Sequence, residues 1–444
     1  MAEIAPIRGV LYDPSRVQVA KVIAPPYDVI GEEERARLEA QDAHNCVRLI
    51  LPRGEGDAKY EVAARTLASW RGEGILRRDD RPAIYRYNQI YKSAELGPDP
   101  VVRRGFVSAV RLHAFSEGVI KPHERTLRGP KEDRLKLMRA CKAHFSQIFM
   151  LYPDPACAAD AAFAETETRA PDLDGETADG TRHQLWRVTD ADTLATVARV
   201  LAPLSFYIAD GHHRYETMLA LRDEYRAGAG GVSPRATTEF ATAFLANMDD
   251  PGLVVLPTHR LVHSLPSFDR AALLDKARAH FDVEELPGGA RPEDAARLRA
   301  EIGKRSATRP TFAVVVPGES SAWLLSLRVP ATSTGLEGAP ALVALDVSLL
   351  HGLVIERALG VDRAAQEAQR NINYIKDTRD ALERVARAEC QVGFIMNPTR
   401  VAQVRDVSDA GEVMPQKSTF FYPKIASGLV VNPLDPTETL ESIG

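Results

Sequence analysis

The segment LSFYIADGHHRYETMLALRDEYR, residues 204–226, crowds several chemically active side chains onto one strand-to-helix junction. Leu204–Asp210 reads as an apolar strand and Gly211 as a tight turn. From His212 the spacing of Met218, Leu221 and Tyr225 is helical. A helix start offers free N–H groups and the positive end of the helix dipole, which favour a phosphate. Arg214 would add a bidentate phosphate donor, and His212 or His213 could donate to a phosphoryl oxygen. Asp210 could hold Mg²⁺ or accept a proton. Two other readings stay open: Asp210 only caps the helix while both histidines are solvated, or Asp210, His212 and His213 hold a metal. The divergence of adjacent side chains on a helix disfavours the second.

Three further boxes carry similar chemistry. VIKPHERTLRGPKEDR, residues 119–134, places His123, Glu124, Arg125, Thr126, Arg128, Lys131, Asp133 and Arg134 on a loop and an early helical turn. Glu124 could be a general base or a metal-side carboxylate, and Arg128, Lys131 and Arg134 could clamp phosphate oxygens. Charge runs are also commonly just solvated loops. IAPPYDVI, residues 23–30, stiffens the chain at Pro25-Pro26 before Asp28, which would place one carboxylate rigidly or simply mark a turn. GEVMPQKSTFFYPK, residues 411–424, sets Lys417, Ser418 and Thr419 beside aromatic residues, either as phosphate donors or as a proline-flanked edge strand.

The elements that must position these boxes alternate between apolar strand-like runs and helical patterns, so an α/β chain (α+β, with mixed sheets) is expected. Helices are predicted at 32–41, 57–70 and 131–142. Strands are predicted at NCVRLILP (45–52), AIYRYNQIY (from 83), GFVSAVRLH (from 105), FSQIFMLY (145–152) and CQVGFIMN (390–397). The organisation divides into an N-terminal α/β part over 1–155, a variable connection over 156–200, the DGHHR segment over 201–265, an inserted α/β module over 266–332, and a closing part over 333–444.

Of 444 residues, 45% are hydrophobic and 26% charged, with a net charge of −5, the mixture of a soluble globular chain rather than a broadly basic nucleic-acid binder. Its four cysteines form no CxxC pair, no run of about 18 apolar residues occurs, and no signal-peptide core is evident, so a cytoplasmic protein without membrane contact is expected. The sequence contains no GxxxxGK[ST], no GxGxxG opening a helix, no GxSxG and no HExxH. Phosphate chemistry here would need a less common loop.

PPYDVI, VIKPHERT with PKEDRLKLMRA, FSQIFMLY, YIADGHHRYET, ANMDDPGLVVLPTHRLV and MPQKSTFFYPKIASGLV, in this order, resemble a bacterial and archaeal family labelled domain of unknown function ten-fifteen. The DGHHR box also resembles the phosphate-binding box of the ParB/sulfiredoxin-like superfamily, which includes free L-serine kinases. The resemblance implies a ParB/sulfiredoxin-like core carrying the inserted module, and a phosphate site built from Asp210 to Arg214 with Thr217 one turn on. It implies a kinase-type phosphotransferase that passes a phosphoryl group from ATP, ADP or pyrophosphate to a free small hydroxyl compound, L-serine first. Mg²⁺ would sit near Asp210 or Glu124, and Glu124, or else Asp28, would take the hydroxyl proton. Transfer between two oxygens needs mainly positioning and charge neutralisation, which this residue mixture can supply. The alternatives are a non-enzymatic ParB-like nucleotide-binding regulator, for which no basic helix-turn-helix is evident, and a phosphatase or nucleotide hydrolase using the same boxes.

Overall fold

Two long strands with alternating apolar residues, Ile84–Ser93 and Gly97–Arg111, pair antiparallel as a hairpin with Tyr85 opposite Val107. They are the middle of a mixed sheet in a computed structural model that describes residues 1–126, 128–228, 231–367 and 370–443. Across that sheet the strands run Ile120–Lys121, Phe206–Asp210, Ile148–Tyr152, Phe240–Asn247, Gly97–Arg111, Ile84–Ser93, Arg182–Val188 and Leu173–Glu176, with Ile4–Ala5 added beside Gly97–Arg111. Both faces are buried, so strand residues divide by parity. Tyr207 and Ala209 pack towards one apolar cluster that includes Phe421, Ile425 and Val430. Phe206 and Ile208 pack towards the other, with Tyr215, Met218 and Leu221 of the helix His212–Ala227. The C-terminal segment thus covers one face and the DGHHR helix the other.

A second, wholly antiparallel sheet has the order Phe281–Leu286, Ala322–Leu327, Thr311–Val315, Val392–Ile395, His259–Val262, Ile372–Ile375. Its first three strands come from the 266–332 stretch, and the others from the chain on either side of it. The tip of the central hairpin reaches this module. The Thr378 amide, at the start of the helix Thr378–Ala386, donates to Glu95 Oε1 at 2.8 Å, and Arg299 pairs with Glu95 at 2.6 Å. Among the described residues no helix is long and apolar enough to cross a membrane.

One predicted element differs in type. NCVRLILP forms the short helix Val47–Ile50, not a strand. A short apolar run fits a buried strand or a buried helical turn equally well. Here Asn45 decides: its Oδ1 accepts from the Val47 amide at 2.9 Å while its Nδ2 donates to the Lys21 carbonyl at 2.7 Å. That side chain starts a turn and leaves the run without a strand partner.

Burial holds five histidines neutral. It pulls His123 and His183 down to about 4, and His144, His259 and His351 down to about 3, from 6.5. As pH falls below 6.5 the unfolded chain therefore binds protons that the folded chain refuses, and stability must fall. Urea midpoints measured between pH 7.5 and pH 4.5 should decline steadily, most steeply below about 6.5. A flat profile would show that these rings are hydrated.

Candidate active site

Strand Phe206–Asp210 delivers Asp210 to the turn, and Gly211 makes that turn at φ 94°. A Cβ on Gly211 would come within 2.9 Å of the Arg214 guanidinium, so both conformation and space require glycine. Arg214 folds back beneath the turn. Its Nη2 donates to Asp210 Oδ2 at 2.5 Å, and its Nη1 donates to the Gln147 carbonyl. The other Asp210 oxygen accepts from Lys424 Nζ. Burial alone would raise the Asp210 carboxyl, but Lys424 and Arg214 together hold it well below the usual carboxylate range.

The KPHE box lies against this turn. Buried His123 has its Nδ1 2.7 Å from the Ile208 carbonyl, which can only accept. The proton is therefore on Nδ1, and Nε2 accepts from the Thr419 hydroxyl at 2.9 Å. The His123 amide donates to His212 Nε2 at 3.2 Å. Burial and the adjacent His123 keep His212 neutral, so its one ring proton is on Nδ1, which faces Glu124 Oε2 at 3.9 Å. Burial, helped by the Asp210 charge, pushes the Glu124 carboxyl up, against the opposing pull of Lys424, Lys417 and His213. A half-buried carboxylate with raised proton affinity suits a general base. Burial pulls His213 down, and Glu124, Glu216 and Asp28 partly restore it.

Cations come from the C-terminal loop and the second sheet. Lys417 is exposed, at φ 58°, and its carbonyl accepts from buried Arg260 at 3.0 Å. Buried Arg103 donates to the carbonyls of Tyr422 at 3.2 Å and Pro423 at 2.6 Å, and Gln89 donates to the Lys424 carbonyl at 3.1 Å. Lys376, just past the strand Ile372–Ile375, has its Nζ 3.5 Å from the Phe420 ring centroid, and Lys424 Nζ is 4.8 Å from the same ring. Burial, with the charges of Lys424 and Lys417, brings the Lys376 amine down to about 8, against Asp28 and Asp210.

The structure brings Glu124, Asp210, His212, His213, Lys417 and, at the exposed turn Tyr27–Val29, Asp28 into one neighbourhood. Several expected roles need correction. Arg214 is buried and engaged by Asp210 and Gln147, so its guanidinium is not open to a phosphate. A side chain pointing back along the helix under a left-handed glycine turn meets the preceding strand, not solvent. Thr217 is buried and its hydroxyl donates to the His213 carbonyl at 2.6 Å; Ser418 is buried and its hydroxyl donates to the Pro415 carbonyl. Both are bonded within the fold. Arg134 is likewise turned inward, donating to the Ile50 carbonyl at 2.6 Å and stacking 4.2 Å from the Tyr27 ring centroid. Lys131 pairs with Glu216 at 2.6 Å, a carboxylate that also accepts from Thr126 at 2.8 Å. That pairing docks the second box on the DGHHR helix. The Arg128 side chain lies outside the described residues.

Among the described residues no group of three or more His, Cys, Asp or Glu is arranged to hold a metal ion. Both oxygens of Asp210 are occupied by Lys424 and Arg214, so the expected role of Asp210 in holding Mg²⁺ does not fit the arrangement found. A cavity of about 40 Å³ behind the turn, lined by Tyr27, Arg134, His144, Arg214 and Met218, has room for one or two waters but not for a phosphate. Lys424 and Lys376 were not singled out by sequence. The available signals were slight: Lys424 closes the fourth box, and Lys376 ends an apolar strand just before Asp377, whose side chain caps the next helix.

Arg214→Ala should lower stability by about 3–5 kcal/mol, because it leaves Asp210 buried with one of its two cations gone. Urea unfolding measures this. A midpoint within error of the parent would show Arg214 to be a surface residue after all.

A family model described as "Protein of unknown function (DUF1015)" matches residues 4–348. The matched segment contains Asp28, Glu124 and Asp210 to Arg214, and stops before Lys376, Lys417 and Lys424. No curated protein matches the chain significantly. Among solved structures, a mutant free serine kinase in complex with ADP is 15% identical, with 72% of this chain and 91% of that chain covered, at a TM-score of 0.35. A conserved hypothetical protein from Pyrococcus furiosus is 15% identical, with coverages of 73% and 93% and a TM-score of 0.30. C-terminally truncated SbnI from Staphylococcus aureus is 10% identical, with coverages of 73% and 86% and a TM-score of 0.35. With more than three-quarters of its length matched by the family model, the chain belongs to the DUF1015 family.

Proposed function

We propose that this protein is a phosphotransferase that moves a phosphoryl group from ATP, ADP or pyrophosphate to the hydroxyl of a free small compound, L-serine first. The observation that carries the reading is the meeting of Glu124, a half-buried carboxylate of raised proton affinity, with Lys417, Lys424 and His213. The choice of L-serine rests on the resemblance of the DGHHR box to that of free L-serine kinases, as does assigning the core to the ParB/sulfiredoxin-like type.

In this reading the donor phosphates lie among Lys417, Lys424 and Lys376, with His213 and the first amides of the helix beside them. Glu124 takes the proton of the acceptor hydroxyl as its oxygen attacks phosphorus and the bond to the leaving phosphate breaks. Asp28 is the second candidate for that proton. The His212 Nδ1–H faces the Glu124 carboxylate at 3.9 Å. Mg²⁺ carried on the donor would neutralise phosphate charge, and Glu124 is the carboxylate that could hold it.

Purified protein incubated with each donor and L-serine should yield O-phosphoserine by mass spectrometry. Free phosphate without phosphoserine would instead mark a hydrolase, and no turnover of any donor would overturn the reading. Glu124→Gln should lower turnover by about 10²–10⁴ while leaving donor binding nearly unchanged.

The same substitution has a stability signature. Because the folded Glu124 pKa is raised, its contribution to stability is fully present below the unfolded value of 4.5 and is lost as pH rises through the folded value. Parent activity should rise over the window in which that stability falls. Glu124→Gln should lack both changes, as read from rate and urea-midpoint profiles against pH.

A further inference from the structure

Lys376 comes from the second sheet, just past the strand Ile372–Ile375, and its surroundings differ from those of an ordinary surface lysine. Its amine rests on the Phe420 ring, where Lys424 also lies, and Lys417 is close enough to act on its charge. Its amine packs on that ring and is partly desolvated there, while the residue as a whole is exposed, so a small reagent can reach it. The groups acting on it are the cations Lys424 and Lys417 on the C-terminal loop, Asp28 on the turn after Pro25-Pro26, and Asp210 at the strand end. Lys376 and Lys417, with Lys424 beside them sharing Asp210 with Arg214, attract a compact dianion, and they also make each additional positive charge there costly. A lysine beside other cations on an apolar face is the type that becomes a nucleophile.

We propose that Lys376 is a modification site, acylated by small acyl phosphates that the neighbouring lysines collect. The neutral amine attacks the acyl carbon and the C–O bond to phosphate breaks. An amide forms, and the amine proton leaves with the phosphate as hydrogen phosphate. The product lacks one cation of the cluster, so acylation would weaken donor binding and switch the site down. The inference rests on the anion-collecting half of the proposed function and not on transfer to serine. The depressed proton affinity of Lys376, about 8, supports it by leaving a large neutral fraction near pH 8.

The test is incubation of the full chain with acetyl phosphate at pH 8, followed by peptide mass spectrometry. Lys376 should be acetylated at least about tenfold faster than Lys59 and Lys136, whose amines are ion-paired with Asp133 and Asp57. Pyrophosphate should protect Lys376 and leave Lys136 unaffected. Lys424→Met should reduce labelling at Lys376 by removing a collecting charge, with circular dichroism as the folding control. Equal labelling of all three lysines, or no protection by pyrophosphate, would overturn the proposal. Labelling and protection at Lys376 in a protein that never phosphorylates serine would uphold this inference while the kinase reading fell. Phosphoserine formation with Lys376 unlabelled would do the reverse.

Discussion

Asp210 held between Lys424 and Arg214 is the interaction on which the rest of the site depends. A carboxylate at this depth needs compensating charge, and breaking such a pair is far costlier than never having built it. One cation comes from the helix that Asp210 itself precedes, four residues along the chain. The other comes from a loop 214 residues away. The ion triad therefore joins the strand end, the helix start and the C-terminal segment in a single contact. It also fixes where the remaining charges can lie, because Asp210 pushes the neighbouring Glu124 carboxyl towards its protonated form while Lys424 pulls the other way.

The loop that supplies Lys424 is held by its backbone. Arg103 from the main sheet and Arg260 from the second sheet are both buried, and among the described residues neither has a carboxylate partner. They direct their donors at the carbonyls of Lys417, Tyr422 and Pro423, and Arg103 lies 4.7 Å from the Phe149 ring centroid. Guanidinium groups that bond carbonyls of the loop leave the Lys417 side chain exposed, while Lys424 Nζ is taken by Asp210. The two sheets thus grip opposite ends of one segment, while Glu95 ties the hairpin tip to the helix that follows Lys376.

Much of this architecture could be read from residue order, because apolar alternation gives way to helical spacing at Gly211, and helical spacing is also plain over 131–142. The central hairpin, the DGHHR strand and helix, and the strands and helices of 266–332 follow from such local patterns. What could not be read was direction and distance. The i,i+4 spacing of Asp210 and Arg214 hints that the arginine turns back onto the strand, yet a helix start ordinarily shows its side chains to solvent. NCVRLILP was ambiguous because a short apolar run has no period long enough to choose strand over helix, and the Asn45 side chain settled it. Lys376 and Lys424 carry no local mark at all, since their importance arises from two sheets that meet only in the folded chain.

The long separation between Asp210 and Lys424 has a consequence for biosynthesis. At roughly 5–20 residues per second, the ribosome makes the carboxylate roughly 10–40 s before its second cation. During that interval Asp210 has only Arg214, and the strands of the second sheet are still being added. The nascent chain can close the DGHHR turn early, but the ion triad stays incomplete until Lys424 has been made. Strand end, helix start and C-terminal loop therefore cannot be joined through Asp210 before residue 424 exists.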